Sequence, residues 1–109
     1  MNTSIKAFVL LISLCVATVA YAKEVEVVTY WRGEVEELWI VDKEDKVVVK
    51  SYVINRNKGL CGDITTYPKG LVLEFGEDKK VSECGESAIE VTVKTEKGVY
   101  TFKRGEDYF

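Results

Sequence analysis

Carboxylates are the main side chains of this sequence that could do acid–base chemistry, because none of its 109 residues is histidine. The absence of histidine removes the commonest general base near neutral pH, the Ser-His-Asp and Cys-His nucleophile arrangements and the commonest zinc ligand sets. Three neighbouring acids, Glu34, Glu36 and Glu37, could in principle serve a glycoside hydrolase, which needs two carboxylates. Adjacent acids on a short strand or turn are more typical of a solvated face, and one small domain leaves little room for a substrate cleft. We therefore expect no enzyme activity and no catalytic residue.

Two other acidic groups bring oxygen ligands close together and could bind calcium. One group is Asp42, Glu44 and Asp45, and the other is Glu77 and Asp78. Both have lysines beside them, and neither matches the spacing of a calcium-binding loop. We interpret both groups as turns and expect no metal and no other cofactor.

The segment 55–60 is the first candidate for recognition of a partner. Its arginine can pair bidentately with a carboxylate, and a disulfide at the adjacent Cys61 would limit the entropy lost on binding. The same segment could also be an ordinary polar connection. The candidate partner-binding residues are Asn55, Arg56, Asn57, Lys58 and Leu60.

A second candidate surface is formed by Tyr30, Trp31 and Arg32. On a surface, these side chains are typical of a binding hot spot or of a platform for a sugar. In a small β protein the same aromatic residues could instead fill the core. We expect Trp39, which has apolar neighbours on both sides, to pack inside.

β-Strands must position these residues, since alternation of apolar and polar side chains dominates the chain. The alternation predicts strands over 25–29, 38–41, 47–54, 71–75, 89–94 and 99–103, and a further strand that ends near 81–84. Turns rich in glycine and charge separate them at intervals typical of an antiparallel sandwich or small barrel. Residues 34–38 could form one helical turn, and residues 55–70 are expected to be one long loop. We predict an all-β domain of six or seven strands.

The N-terminus is organised like a secretory signal peptide over residues 1–22. Lys6 supplies a positive charge, residues 8–20 are an apolar run, and Ala-Tyr-Ala at 20–22 is a small-x-small cleavage site. The short apolar run looks bacterial. We predict export to the periplasm or to the outside of the cell.

Cleavage after Ala22 would remove Cys15 and leave Cys61 and Cys84 as a candidate structural disulfide in an oxidising compartment. Two alternatives remain open. A lipoprotein would be cut before Cys15, although Leu14 stands where such signals normally have Gly, Ala or Ser. An uncleaved anchor would need about twenty apolar residues, more than this run provides.

Composition restricts the partners of the mature chain, residues 23–109. It would be a single domain with 14 basic and 18 acidic residues and a net charge of −4. Phosphate binding requires a concentrated basic face, and docking on a membrane surface requires a basic amphipathic helix. We therefore expect no nucleic-acid partner, no insertion into a membrane after cleavage, and a protein as the partner.

Several short motifs occur in a characteristic order along the mature chain. They are Asn55-Arg56, Cys61, Phe75-Gly76, Cys84 and the run from Lys97 to Phe102. In this order the chain resembles a group of small exported bacterial β-rich proteins of unassigned function, over about half of the mature sequence. The resemblance implies a bacterial β domain with a Cys61–Cys84 bridge, and it implies no catalytic residue.

These observations predict a non-enzymatic binding protein of the periplasm or the cell exterior, acting as an inhibitor, an immunity protein or an envelope-accessory protein. One alternative is a subunit of an exported assembly that adds a strand to a partner. Another is a small hydrolase that uses carboxylates.

Overall fold

The computed structural model describes residues 23–106, so the predicted signal peptide and the last three residues lie outside the described part of the chain. The prediction of an all-β domain with six or seven strands is confirmed. The seven strands are β1 (Val25–Arg32), β2 (Val35–Asp42), β3 (Lys46–Ile54), β4 (Asp63–Glu74), β5 (Asp78–Ser82), β6 (Glu90–Thr95) and β7 (Val99–Lys103).

The strands form two antiparallel sheets. One sheet has the order β1-β2-β5, and the other has the order β4-β3-β6-β7. The turn between β1 and β2 contains Gly33, whose positive φ of 64° favours glycine. The predicted hairpin between β6 and β7 is confirmed, and the Thr95 amide donates to the Gly98 carbonyl at 2.8 Å.

The core lies between the inner faces of the two sheets, which makes the fold a sandwich. Alternation along each strand explains its composition, since every second side chain points inward. The buried apolar side chains are Val25, Val27, Leu38 and Ile40 from the three-stranded sheet, and Val47, Val49, Tyr52, Ile54, Leu73, Val91, Val93 and Phe102 from the four-stranded sheet, together with Ala88.

The predicted disulfide is present and joins the two sheets. Cys61 precedes β4 and Cys84 follows β5, and their Cα atoms are 5.8 Å apart. Strands β1, β3, β5 and β7 all end at this side of the sandwich, which we call the disulfide end. The bridge therefore links the three-stranded sheet covalently to the four-stranded sheet at the disulfide end.

A buried polar cluster occupies the opposite end of the sandwich. The Glu24 carboxylate is buried, and its Oε2 atom accepts hydrogen bonds from Thr95 Oγ1 at 2.7 Å and from the Tyr100 hydroxyl at 2.5 Å. These bonds link the beginning of β1 to the hairpin of the other sheet. They also satisfy a charge that would otherwise be costly to bury.

The prediction of one long loop over residues 55–70 is wrong, because β4 begins at Asp63. Residues 64–67 include isoleucine, threonine and tyrosine, which favour strands, and residues 64–66 continue the ladder with β3. Pro68 and Gly70 are tolerated within β4 because it is an edge strand and because its register with β3 shifts between Val49 and Ser51.

The suggested helical turn over residues 34–38 is also wrong, because these residues enter β2 at Val35 and pair with β1. The pairing with β1 outweighs the weak helical preference of the glutamates. Trp39 does not lie in the main core. It lies on the outer face of the three-stranded sheet, where its ring packs edge-on against Tyr30 with the centroids 5.9 Å apart.

Candidate binding site

Three consecutive non-glycine residues in the left-handed region distinguish the disulfide end. The φ angles of Asn55, Arg56 and Asn57 are 52°, 54° and 59°, and these are the non-glycine residues with positive φ among residues 23–106. This conformation is unfavourable for most residues, and asparagine is among those that tolerate it best. We call Asn55–Asn57 the left-handed turn.

The side chain of Asn55 fixes the left-handed turn to the segment that leads into β6. Its Oδ1 atom accepts hydrogen bonds from the amides of Ile89 at 2.8 Å and Glu90 at 3.2 Å. Its Nδ2 atom donates to the Ser87 carbonyl at 3.0 Å. One side chain therefore makes three hydrogen bonds to backbone more than thirty residues away.

Glu90, the first residue of β6, orients the side chain of Arg56. Its Nε atom donates to Glu90 Oε2 at 2.7 Å, and this hydrogen bond raises the pKa of the guanidinium above its ordinary value. The Arg56 side chain nevertheless remains 75% exposed, whereas the Glu90 side chain is mostly covered. The arginine is therefore oriented by the protein while most of its surface stays accessible.

A groove lies beside the left-handed turn. Its volume is about 640 Å³, which is within the usual range of about 300–1,000 Å³ for ligand sites. Three cationic side chains and one apolar side chain define its chemistry. The lining residues are Asn55, Arg56, Lys58, Gly59, Ile89, Glu90 and Lys103. We call this concavity the Arg56 groove.

Two apolar side chains are unusually exposed at this groove. Ile89, which lines it, is 65% exposed, and Leu60, which immediately follows its lining residue Gly59, is fully exposed. Leu60 also precedes Cys61, so that the bridge anchors its backbone. The groove therefore combines cationic side chains with exposed aliphatic ones.

The second candidate surface lies at the same end of the sandwich but on the other sheet. Tyr30 is 49% exposed and Trp31 is 62% exposed, so neither fills the core. Arg32, whose side chain is 79% exposed, forms an ion pair at 3.7 Å with the buried carboxylate of Glu37. These three residues are the last residues of β1, beyond the part of that strand that the core covers.

Arg104 connects the two candidate surfaces. Its Nη2 atom contacts Glu36 Oε1 at 3.0 Å, next to Trp31 in the β1–β2 ladder, and its Nε atom donates to the Ala88 carbonyl at 2.8 Å. It also donates to the Gly85 carbonyl. Ala88 adjoins the Ser87 and Ile89 backbone that binds Asn55, so a continuous set of polar contacts crosses the disulfide end.

The carboxylates named for hydrolysis do not face one another. Glu36 and Glu37 are adjacent on β2 and point to opposite faces of the sheet, and each is paired with a cation. Glu36 pairs with Arg104, and Glu37 pairs with Lys80 at 3.3 Å. Glu34 is exposed in the preceding turn. This cluster therefore lacks the facing pair that glycoside hydrolysis requires.

The acidic turn at Asp42 serves local structure. Asp42 Oδ1 accepts the Glu44 amide at 2.7 Å, while burial raises the pKa of this carboxyl above its ordinary value. Over residues 23–106, no group of three or more histidine, cysteine, aspartate or glutamate side chains is arranged to hold a metal ion.

Comparison with protein-family models, curated proteins and solved structures finds no match for this chain. The resemblance to small exported bacterial proteins therefore stays a prediction. Within the described part of the chain, no helix is long and apolar enough to cross a membrane.

Proposed function

We propose that this protein is a non-enzymatic binding protein of the bacterial periplasm or cell exterior and that it presents the Arg56 groove to a protein partner. An inhibitor, an immunity protein or an envelope-accessory protein would each fit this description. The observation that carries the proposal is the left-handed turn, which holds Arg56 in an unfavourable backbone conformation beside the groove.

The backbone conformation favours recognition over an ordinary connection. A left-handed residue other than glycine or asparagine costs on the order of 1–2 kcal/mol, and Arg56 is such a residue. A turn that only joined β3 to β4 could place glycine there without strain. The three hydrogen bonds of Asn55 offset the cost, and strained residues held by their surroundings are concentrated at functional sites.

The same hydrogen bonds reduce the entropy that a partner must overcome. The left-handed turn is fixed to Ser87 and Ile89 on one side, and the disulfide anchors the segment on the other. Ordering a flexible loop and its side chains on binding is costly, and a segment already fixed avoids most of that cost.

Local charge indicates the chemistry of the partner. Arg56, Lys58 and Lys103 line the groove, and the one acid among the lining residues, Glu90, is paired with Arg56. An acidic segment with one apolar side chain would complement the net positive charge of this lining and cover Ile89. Arginine is also among the residue types enriched at the positions that contribute most to protein interfaces.

The disulfide supports the export that the signal peptide predicts. Structural disulfides persist in oxidising compartments and are rare in the cytosol of mesophiles. The bridge leaves neither Cys61 nor Cys84 as a free thiol. Export is tested by the N-terminal sequence of the mature protein, which should begin at Lys23.

Site-specific photo-crosslinking in the native host tests the binding site. A photoreactive amino acid at Leu60 should give a discrete adduct with one protein of the cell envelope. Arg56→Gln, which removes the charge and keeps a long polar side chain, should abolish that adduct without changing the melting temperature by more than a few degrees.

Phe75 provides the matched control, because it is also a large apolar residue, is 71% exposed and lies at the opposite end of the sandwich. A photoreactive residue at Phe75 should give no such adduct. Equal adducts from both positions, or an adduct that Arg56→Gln leaves intact, would contradict the proposed site.

A further inference from the structure

The Arg56 groove is too small to be a complete protein interface. Seven residues line it, whereas a stable protein–protein interface usually takes about 20–30 residues from each partner. A protein bound at the groove must therefore also contact a neighbouring surface. The outer face of the four-stranded sheet is continuous with the groove, because Glu90 and Lys103 line the groove and also face each other on the paired strands β6 and β7.

A row of uncharged side chains crosses this outer face next to the groove. Cross-strand pairing brings together one β-branched residue from each of the four strands, namely Ile64, Val53, Thr92 and Thr101. Within β6 and β7, the two threonines are two residues from the groove lining, which is a distance of about 7 Å along a strand. We call these four residues the β-branched row.

The β-branched row faces away from the core. Along β3, β6 and β7 its residues alternate with buried ones, such as Ile54, Val91 and Phe102. Ile64 is 55% exposed, and Thr101 is also exposed. Outward positions of an antiparallel sheet that faces water are usually polar, yet half of this row is aliphatic. A flat and partly apolar surface therefore adjoins the groove.

The outer face of the three-stranded sheet differs from this surface in its charge. Glu37 pairs there with Arg32 and with Lys80. Glu26 of the same face pairs with Lys43 in the turn that follows β2. Covering such ion pairs removes water from charged groups, which is costly. The β-branched row carries no charge, so a partner can cover it at a lower cost.

The side chains of the β-branched row also suit an interface. The hydroxyls of Thr92 and Thr101 lie 3.2 Å apart and hydrogen-bond to each other, so each keeps a partner when water is removed. β-Branched side chains have few rotamers, so they lose little conformational entropy when a partner covers them.

Charge favours the β-branched row over other surfaces beside the groove. Glu86 precedes Ser87, whose carbonyl binds Asn55, and Glu106 lies three residues beyond Lys103; both glutamates are exposed. On the other side of the row, the exposed Lys94 follows Thr92 by two residues on the same face of β6. An acidic partner would be repelled near the glutamates and attracted across the row.

We propose that the protein partner of the Arg56 groove also covers the β-branched row, with acidic side chains over the groove and a flat apolar surface over the row. This inference rests on the proposed function of the groove. The footprint of the partner then begins at Leu60 and the groove lining, crosses the β-branched row, and leaves the far end of β4 uncovered.

Val72 provides a matched control for Ile64. Both residues are β-branched, belong to β4 and point to its outer face, and they are 48% and 55% exposed. Ile64 pairs with Val53 in the row, whereas Val72 pairs with Val48 toward the opposite end of the sandwich. The two positions therefore differ mainly in their place relative to the proposed footprint.

Photo-crosslinking from Leu60 provides the readout. With a photoreactive amino acid at Leu60, Ile64→Glu should lower the yield of the adduct at least about tenfold, because it sets a negative charge against an acidic, apolar partner surface. Val72→Glu should leave the yield unchanged. Both variants should keep the melting temperature within a few degrees. A photoreactive residue at Thr101 should give an adduct with the same protein, identified by mass spectrometry.

The outcomes separate the footprint from the groove. An adduct from Leu60 that Ile64→Glu leaves intact, or that Ile64→Glu and Val72→Glu weaken equally, would overturn the footprint and leave the groove as the binding site. The absence of an adduct from Thr101, when Leu60 gives one, would overturn the footprint as well. No adduct from Leu60 would contradict the groove itself and the footprint with it.

Discussion

Removal of the disulfide should cost this domain a large part of its stability. Cys61 and Cys84 are 23 residues apart, and in the chain-entropy model closing such a loop in the unfolded state is worth about 3–4 kcal/mol. Both side chains are half-buried, so the hydroxyls of a Cys61→Ser/Cys84→Ser variant remain near water and add little further cost. A domain of this length is stable by only about 4–13 kcal/mol.

Thermal and urea unfolding of the oxidised wild type and the double variant provide the measurement. The melting temperature should fall by on the order of 20 °C. The urea m-value should rise, because the unfolded chain without the bridge exposes more surface. Reductant should lower the melting temperature of the wild type to that of the variant, and it should leave the melting temperature of the variant unchanged.

A decrease of less than about 1 kcal/mol in the free energy of unfolding, with an unchanged m-value, would refute this reasoning. It would mean that the unfolded chain is restricted in some other way.

Two further predictions concern the backbone at Asn57 and the half-buried phenol of Tyr100. The Asn57 side chain makes no hydrogen bond within residues 23–106. The free energy of unfolding should be highest with Gly at position 57, lower with Asn and lowest with Ala, with about 1–2 kcal/mol between Gly and Ala. A higher free energy of unfolding for the Ala variant than for the Gly variant in chemical denaturation would contradict the left-handed conformation. Burial and then the Glu24 hydrogen bond raise the pKa of Tyr100 to about 12 from 10.0, so its contribution to stability is full below pH 10 and is lost as the pH rises through 12. A titration of tyrosine absorbance should show this step, and Tyr100→Phe should remove it; an unchanged titration would show that Tyr100 is not the group.

The sequence predicted the strands that alternate and missed the first half of β4, which does not. In β6 every second side chain, including Val91 and Val93, is buried, so its pattern is easily read. The first half of β4 carries Pro68 and Gly70, which normally indicate a loop. Only the position of β4 at the sheet edge makes them compatible with a strand, and that position follows from tertiary structure.

The candidate site was named from the sequence, but its backbone conformation could not be predicted there. The charge and position of Arg56 next to Cys61 indicated a recognition segment. The left-handed turn depends on Ser87, Ile89 and Glu90, which approach Asn55 only after β3 and β6 have paired. The burial of Trp39 was expected from its apolar neighbours, but strand alternation places it on the outer face.

The left-handed turn also determines which antibodies bind the native protein at the disulfide end. A peptide covering residues 53–62 has neither the Ser87 carbonyl nor the Ile89 amide, so it lacks the bonds that hold Asn55–Asn57 in this shape. Serum raised against that peptide should detect the denatured chain on a blot and fail to precipitate the native protein. Serum raised against the folded domain should show the reverse preference, because its epitope at this end is assembled from separate parts of the chain.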